Sequence, residues 1–99
     1  MAYEVRITPA AERAVGKLPG RIQLAVLDKL GELAKDARPH GCRKIRGVPP
    51  QHDVLRVEVE SSYRIVYQVK DEAAWVLVVK VGDRKEVYRR LDDLKRLLQ

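Results

Sequence analysis

The sequence predicts an α+β domain: an N-terminal strand, an antiparallel helix hairpin packed on one face of a mainly antiparallel twisted sheet, and a short C-terminal helix. Apolar residues recur at three- and four-residue spacing through 9–18 and 21–37, which is typical of two helices. Segments 55–60, 63–70 and 75–81 instead show alternating or continuous apolar residues, which favours strands. Because each helix has one apolar side, the hairpin needs a sheet to cover.

The composition indicates one folded domain spanning residues 1–99, with 45% hydrophobic and 34% charged residues. A net charge of +6 favours an acidic or polyanionic partner. A single cysteine, Cys42, excludes an internal disulfide and a cysteine-cluster metal site. No apolar run approaches the roughly 18–20 residues of a membrane span, and Glu4 and Arg6 interrupt the stretch where a signal peptide would be apolar. We therefore expect a cytoplasmic protein without a membrane partner.

The helical elements have recognisable ends. Thr8 and Pro9 form a helix start, with a hydroxyl to cap and a proline suited to the first helical position. Gly31 lies inside the second helix, where it costs about 1 kcal/mol against alanine, and close packing is the expected reason. A short amphipathic C-terminal helix is expected around Leu91 to Leu98, and we expect it to cover the site or to be mobile.

Strand alternation divides the charged residues from the apolar ones. Odd-numbered apolar residues are predicted to face the helices: Val57, Val59, Ile65, Tyr67, Val69, Leu77, Val79 and Val81. The opposite face would then carry Arg56, Glu58, Arg64, Lys80 and, without a bulge, Arg84 and Tyr88. Such a face is either a solvated surface with scattered charges or a phosphate site, and its excess of cations favours the second.

These side chains suit the cleavage of RNA by its own 2′-hydroxyl, which needs neither a metal ion nor a cofactor. The reaction needs a base for the hydroxyl proton, cations around the phosphorane, and an acid for the 5′-oxygen. Arginine is a poor base because its pKa exceeds about 12. Glu58, Lys80 and Tyr88 remain the candidates for the base.

Three segments, KIRG at 44–47, YRIVYQV at 63–69 and VVKVGDRKEVYR at 78–89, resemble the RelE branch of the RelE/ParE superfamily. These are toxins of bacterial and archaeal type II toxin–antitoxin pairs. The resemblance implies a metal-independent mRNA endonuclease that inhibits translation in the ribosomal A site. It also implies a cognate antitoxin that neutralises the toxin, and a toxin–antitoxin hetero-oligomer that binds operator DNA.

The resemblance assigns roles to individual residues. Arg64 would hold the scissile phosphate, Arg84 would be a phosphate ligand or the acid, and Tyr88 would orient or stack the nucleotide. Arg56 and Glu58 stand where the family has lysines, so Glu58 is either the base or a sign of weak activity. Further RNA contacts are expected from Arg43, Lys44, Arg46 and Lys80, in a basic segment that also contains Arg38. Asp83 replaces a histidine of many relatives.

Two alternatives share this fold. One is a ParE-like, non-enzymatic inhibitor of DNA gyrase, and the other is an inactive module that only binds an antitoxin. The presence of Arg64, Arg84 and Tyr88 favours the nuclease. His40 and His52 lie in the loop without carboxylates at ligand spacing, so no metal site is expected there.

Overall fold

The computed structural model describes residues 2–48 and 52–89, except for the side chains of Tyr88 and Arg89. The strands are β1 (Glu4–Ile7), β2 (Arg43–Lys44), β3 (Val54–Val59), β4 (Tyr63–Lys70) and β5 (Trp75–Asp83), and the helices are α1 (Pro9–Gly16), α2 (Gly20–Lys35) and α3 (Arg84–Arg89). The sheet order is β1-β5-β4-β3-β2, in which β1 runs parallel to β5 and the other pairs are antiparallel. The predicted α+β class is confirmed. None of the helices in these ranges has the length and apolar character to cross a membrane.

The start of α1 forms as predicted. The Thr8 Oγ1 accepts a hydrogen bond from the Ala11 N–H at 3.2 Å, and Pro9 occupies the first helical turn. The cap satisfies one of the backbone N–H groups that a helix start leaves without a partner. The chain is thereby directed from β1 into the helix pair.

The main core lies between the two long helices and one face of the sheet. Ile22, Val26 and Leu33 of α2 are buried there against Ile65 and Tyr67 of β4. The Tyr67 hydroxyl donates a 2.8 Å hydrogen bond to the Ala37 carbonyl just beyond α2. Burial raises the pKa of Tyr67, so this donor keeps its proton at neutral pH. The prediction that Tyr67 is a core residue is confirmed.

A β-bulge changes the predicted alternation in β5. Ile65 pairs with Val81 and Val66 with Lys80, but Tyr67 pairs with Val78. One residue of β5 is therefore inserted, and beyond it every side chain changes face. The prediction that Leu77 and Val79 face the helices was wrong: Val76 and Val78 lie in the main core, and Val79 packs on the other side.

We call the sheet surface opposite α1 and α2 the outer face. It has a small core of its own, made by Ile45, Val54, Val66 and Val87, with Val48 and Val79 packed against it. Because Val87 belongs to α3, this helix lies on the outer face. Strand alternation was expected to place Arg84 and Tyr88 on this face only without a bulge, and it does not apply to them because a helix begins at Arg84. The helix expected around Leu91 to Leu98 lies outside the described residues.

Gly31 is not required for close packing between α2 and a neighbouring element. It is exposed. Apart from its chain neighbours and the nearby backbone of its own helix, no described atom lies within 4 Å of where a Cβ would stand. The prediction that close packing explains this glycine was therefore wrong. Nothing in the described structure accounts for it.

Arg38 joins three parts of the chain at the end of the sheet away from α3. Its guanidinium forms ion pairs with Asp53, just before β3, and with Asp71 at 3.0 Å, in the β4–β5 turn. Tyr3 adds a 2.7 Å hydrogen bond from its hydroxyl to the Asp71 carboxylate. Arg38 belongs to the basic segment for which RNA contacts were predicted. Its ion pairs with Asp53 and Asp71 give it a structural role.

Stability should depend on pH through this cluster. The hydrogen bonds from Arg38 and Tyr3 hold the pKa of Asp71 below its ordinary value of 3.8. The contribution of Asp71 is therefore present above pH 3.8 and is lost as the pH falls through the lower folded-state pKa. Thermal unfolding of the wild type and Asp71→Asn should differ at pH 6, and the difference should shrink toward pH 2.5. A difference that stays constant would contradict this interpretation.

Candidate phosphate-binding site

The register places four predicted site residues on the outer face. In one row across the sheet, Arg56 of β3 pairs with Val66 of β4, which pairs with Lys80 of β5. In the next row, Glu58 pairs with Arg64, which pairs with Gly82. Paired residues point to the same face. Arg56, Glu58, Arg64 and Lys80 therefore share one surface, as the alternation predicted.

The edge strand β2 divides its two cations between the faces. Arg43 pairs with Arg56 and so joins the outer face, whereas Lys44 pairs with Leu55, a residue of the main core. Lys44 is therefore turned away from the site. Two arginines directly opposite each other are destabilising in a sheet, and this favours a surface that binds an anion. Arg46 is exposed in the turn after β2.

Arg64 is the most constrained of these cations. Its side chain is only 8% exposed, and its Nη2 lies 3.0 Å from Oε1 of Glu58. Its Nη1 donates to the carbonyls of Ser61 at 2.9 Å and Tyr63 at 3.1 Å. The buried Nε has no acceptor among the described residues. A buried donor without a partner costs free energy and often marks a functional group.

Arg84 lies at the same end of the sheet. Gly82, the partner of Arg64, comes two residues before it, and the Arg84 N–H donates to the Ser62 carbonyl at 3.1 Å. Its side chain is exposed beside a shallow depression of about 490 Å³ lined by Ser61, Ser62, Asp83, Arg84 and Lys85. Both arginines therefore flank the turn between β3 and β4. The side chain of Tyr88 lies outside the described part of the structure.

Asp83 holds the start of α3. Its Oδ1 accepts hydrogen bonds from the N–H groups of Lys85 at 3.0 Å and Glu86 at 2.7 Å. These are the contacts of a helix N-cap. An aspartate followed three residues later by a glutamate is a sequence signal for such a cap, so this helix could have been predicted. The role of Asp83 is thus the placement of α3 and Arg84.

Loss of this cap should weaken α3. We expect Asp83→Ala to lower the free energy of unfolding by about 1 kcal/mol, because two backbone N–H groups lose their acceptor. Asp83→Asn keeps an acceptor oxygen and should retain most of the stability. Chemical denaturation of the three proteins measures the difference. Equal stability of the alanine variant and the wild type would contradict a capping role.

The structure adds a cleft that the sequence did not indicate. Lys29 of α2 and His40 meet Arg43, Arg56 and Glu58 around a space of about 460 Å³, which Gly41 and Val57 also line. The cleft lies where β3 continues past the end of the two-residue β2. No pattern in the sequence marks so short a strand, so neither Lys29 nor His40 could be assigned to it. His40 therefore brings an imidazole to the same cleft as Glu58.

Within residues 2–48 and 52–89, no group of three or more His, Cys, Asp or Glu side chains is placed to hold a metal ion. The charged groups around Arg64 are mainly guanidinium and ammonium groups. This surface is therefore suited to phosphate oxygens more than to a cation.

Comparison with known proteins identifies the family. Residues 5–88 match the family model described as the ParE toxin of the type II toxin–antitoxin system parDE. The chain is 36% identical over 101 residues to the mRNA interferase toxin RelE of Escherichia coli, covering 99% of this chain and 100% of that one. The chain belongs to the RelE/ParE superfamily of type II toxins, in its RelE-like branch. Toxin RelG of Mycobacterium tuberculosis is 33% identical over 91 residues, covering 91% of this chain and 100% of the relative.

Solved structures of RelE toxins share the fold. A double mutant of E. coli RelE in the free state matches with a TM-score of 0.78 and 32% identity, covering 99% of this chain and 100% of that chain. The toxin in the intact E. coli RelBE toxin–antitoxin complex matches with a TM-score of 0.70 and 34% identity, covering 83% of this chain and 96% of that chain. The order of elements predicted from the sequence is therefore that of a RelE-like toxin.

Proposed function

We propose that this protein is the toxin of a type II toxin–antitoxin pair and that it inhibits translation by cleaving mRNA in the ribosomal A site. The observation that supports the proposal is that Arg64 and Arg84 both lie next to the turn between β3 and β4, at one end of a sheet whose outer face also carries Arg56 and Lys80. Membership in the RelE-like branch supports the same activity, because the E. coli relative is named an mRNA interferase.

The proposed reaction is an attack by the ribose 2′-hydroxyl on the adjacent phosphorus. The bond from phosphorus to the 5′-oxygen breaks, which leaves a 2′,3′-cyclic phosphate and a 5′-hydroxyl end. Arg64 and Arg84 stabilise the charge that develops on the phosphorane oxygens, so the reaction needs no metal ion. Arg84 or a neighbouring acid returns a proton to the 5′-oxygen, and the ring of Tyr88 stacks on a base. His40, Lys80 and Tyr88 are the groups proposed to take the hydroxyl proton.

The other proposed partners are ribosomal RNA, a cognate antitoxin and operator DNA, and the exposed positive charge and the family membership support them. Arg43 and Arg46 are exposed at the edge of the sheet. We propose that they contact the phosphates of ribosomal RNA. Solved relatives include complexes of RelE with the antitoxin RelB, which supports a cognate antitoxin for this chain. We propose that the toxin–antitoxin hetero-oligomer binds operator DNA and that the protein acts in the cytoplasm.

Purified protein added to ribosomes programmed with a defined mRNA tests the proposal. We expect cuts within the A-site codon, cyclic phosphate ends, and little cleavage of the same mRNA without ribosomes. A catalytically damaged variant such as Arg84→Ala is the control for contaminating nucleases. Intact mRNA in the presence of programmed ribosomes would contradict the proposal.

The second candidate is the ParE-like inhibition of DNA gyrase, because the matching family model is described as a ParE toxin. A gyrase supercoiling assay with the same preparation separates the two functions. We expect no inhibition at concentrations that cut mRNA on ribosomes. Inhibition of supercoiling without mRNA cleavage would favour the second candidate.

A further inference from the structure

The Arg64 guanidinium already has an anion bound to it. The Glu58 carboxylate contacts Nη2 at 3.0 Å, and two carbonyls occupy Nη1. A phosphate oxygen pair binds a guanidinium through two parallel N–H groups, in the same geometry as a carboxylate. In this arrangement, Glu58 and a substrate phosphate compete for the same nitrogen atoms.

The two partners of the ion pair differ strongly in exposure. The Arg64 side chain is 8% exposed and is anchored by the turn carbonyls, whereas the Glu58 side chain is 53% exposed. Glu58 is therefore the partner that can move away, because water solvates its carboxylate once it leaves. The buried Arg64 charge keeps an anionic partner when the phosphate replaces Glu58, so the exchange leaves no unpaired buried charge.

The buried Nε of Arg64 supplies a second reason for exchange. It has no acceptor among the described residues, so the resting arrangement leaves one donor of this guanidinium unsatisfied. A phosphate that turns the guanidinium toward itself gives Nε a partner. Charge also builds on the phosphate as the 2′-hydroxyl attacks, so the exchange favours the transition state more than the bound substrate.

We propose that Glu58 is a positioning residue that holds Arg64 in a resting arrangement and that the substrate phosphate displaces it. In this role Glu58 takes no proton from the 2′-hydroxyl. It sets how tightly the site binds RNA, by competing with the phosphate. The inference rests on the proposed function only in naming the ligand as an RNA phosphate.

The test uses an RNA trinucleotide whose central ribose lacks the 2′-hydroxyl, so that binding is measured without cleavage. We expect Glu58→Gln and Glu58→Ala to bind it about three- to tenfold more tightly than the wild type, because the carboxylate that competes with the phosphate is half exposed and contributes only a small free energy. The gain should disappear when Arg64→Ala is also present. Thermal unfolding of each variant checks that the fold is retained.

Glu60→Gln is the matched control, because it changes the net charge equally. Glu60 follows β3, and its carboxylate pairs at 3.3 Å with Arg21 of α2 and not with Arg64. An equal gain in affinity from Glu60→Gln would attribute the effect to net charge and overturn the proposal. Unchanged affinity in both Glu58 variants would also overturn it.

Cleavage on programmed ribosomes separates this role from that of a general base. We expect kcat/KM of Glu58→Gln to exceed that of the wild type, because the phosphate no longer competes with a carboxylate for Arg64. A steep fall in kcat with unchanged RNA affinity would make Glu58 the base and overturn the proposal. If the wild type cuts no mRNA, the proposed function fails, whereas a gain in affinity specific to Glu58 still supports the competition at Arg64.

Discussion

Arg64→Ala is expected to lower the rate of mRNA cleavage about 100- to 1,000-fold, the usual cost of removing one donor that stabilises a transition-state oxyanion. The side chain is buried at the end of the outer face and is held by the Ser61 and Tyr63 carbonyls. Its guanidinium is therefore held near the site before the substrate arrives. Single-turnover cleavage on programmed ribosomes measures the effect.

The same substitution also removes structural contacts, so stability must be measured beside activity. We expect the free energy of unfolding to fall by about 1–3 kcal/mol, because hydrogen bonds from a charged group are lost. Arg64→Lys is the informative second variant, since it keeps the charge but not the planar fork. It should remain folded and lose most of the activity. If either variant cleaved mRNA at the wild-type rate, Arg64 would not be part of the catalytic site.

Arg84→Ala is expected to lower cleavage about 100-fold without a measurable change in stability. The Arg84 side chain is exposed, and the described contact of this residue is made by its backbone N–H, which alanine retains. Alanine also suits the first turn of α3. The loss should therefore appear in kcat, with the thermal unfolding curve unchanged.

Lys85→Ala is the matched control for Arg84→Ala. Lys85 is also exposed, lines the same depression and carries the same charge. Its loss should weaken RNA binding only modestly. The slope of the logarithm of the binding constant against the logarithm of the salt concentration should change by less than about one. Equal losses in the two variants would indicate a general electrostatic effect in place of a specific phosphate contact.

The sequence predicted those parts of the fold that depend on local signals. Thr8 and Pro9 mark the start of α1, and the spacing of Ile22, Val26 and Leu33 marks the buried side of α2. These features depend on residues a few positions apart, which periodicity and capping describe directly. The outer-face residues on β3 and β4 were also found, because strict alternation holds along both strands.

The sequence could not predict features that depend on pairing between distant segments. The bulge opposite Val66 and Tyr67 reverses the alternation in β5, and only the register with β4 reveals it. The ion pair between Glu58 and Arg64 likewise requires β3 and β4 to be aligned. For this reason Glu58 was considered as a base, while its contact with Arg64 remained hidden.

The Arg38 cluster affects how well the basic segment between Arg38 and Asp53 tolerates a change in length. Through its ion pair with Asp53, one guanidinium holds together the two ends of the segment that contains His40, Arg43 and Arg46. Closing a longer loop costs only about 0.6 kcal/mol for each doubling of its length. An insertion beside the exposed Arg46 is therefore expected to cost little stability, because the pair of Arg38 and Asp53 still fixes both ends of the segment.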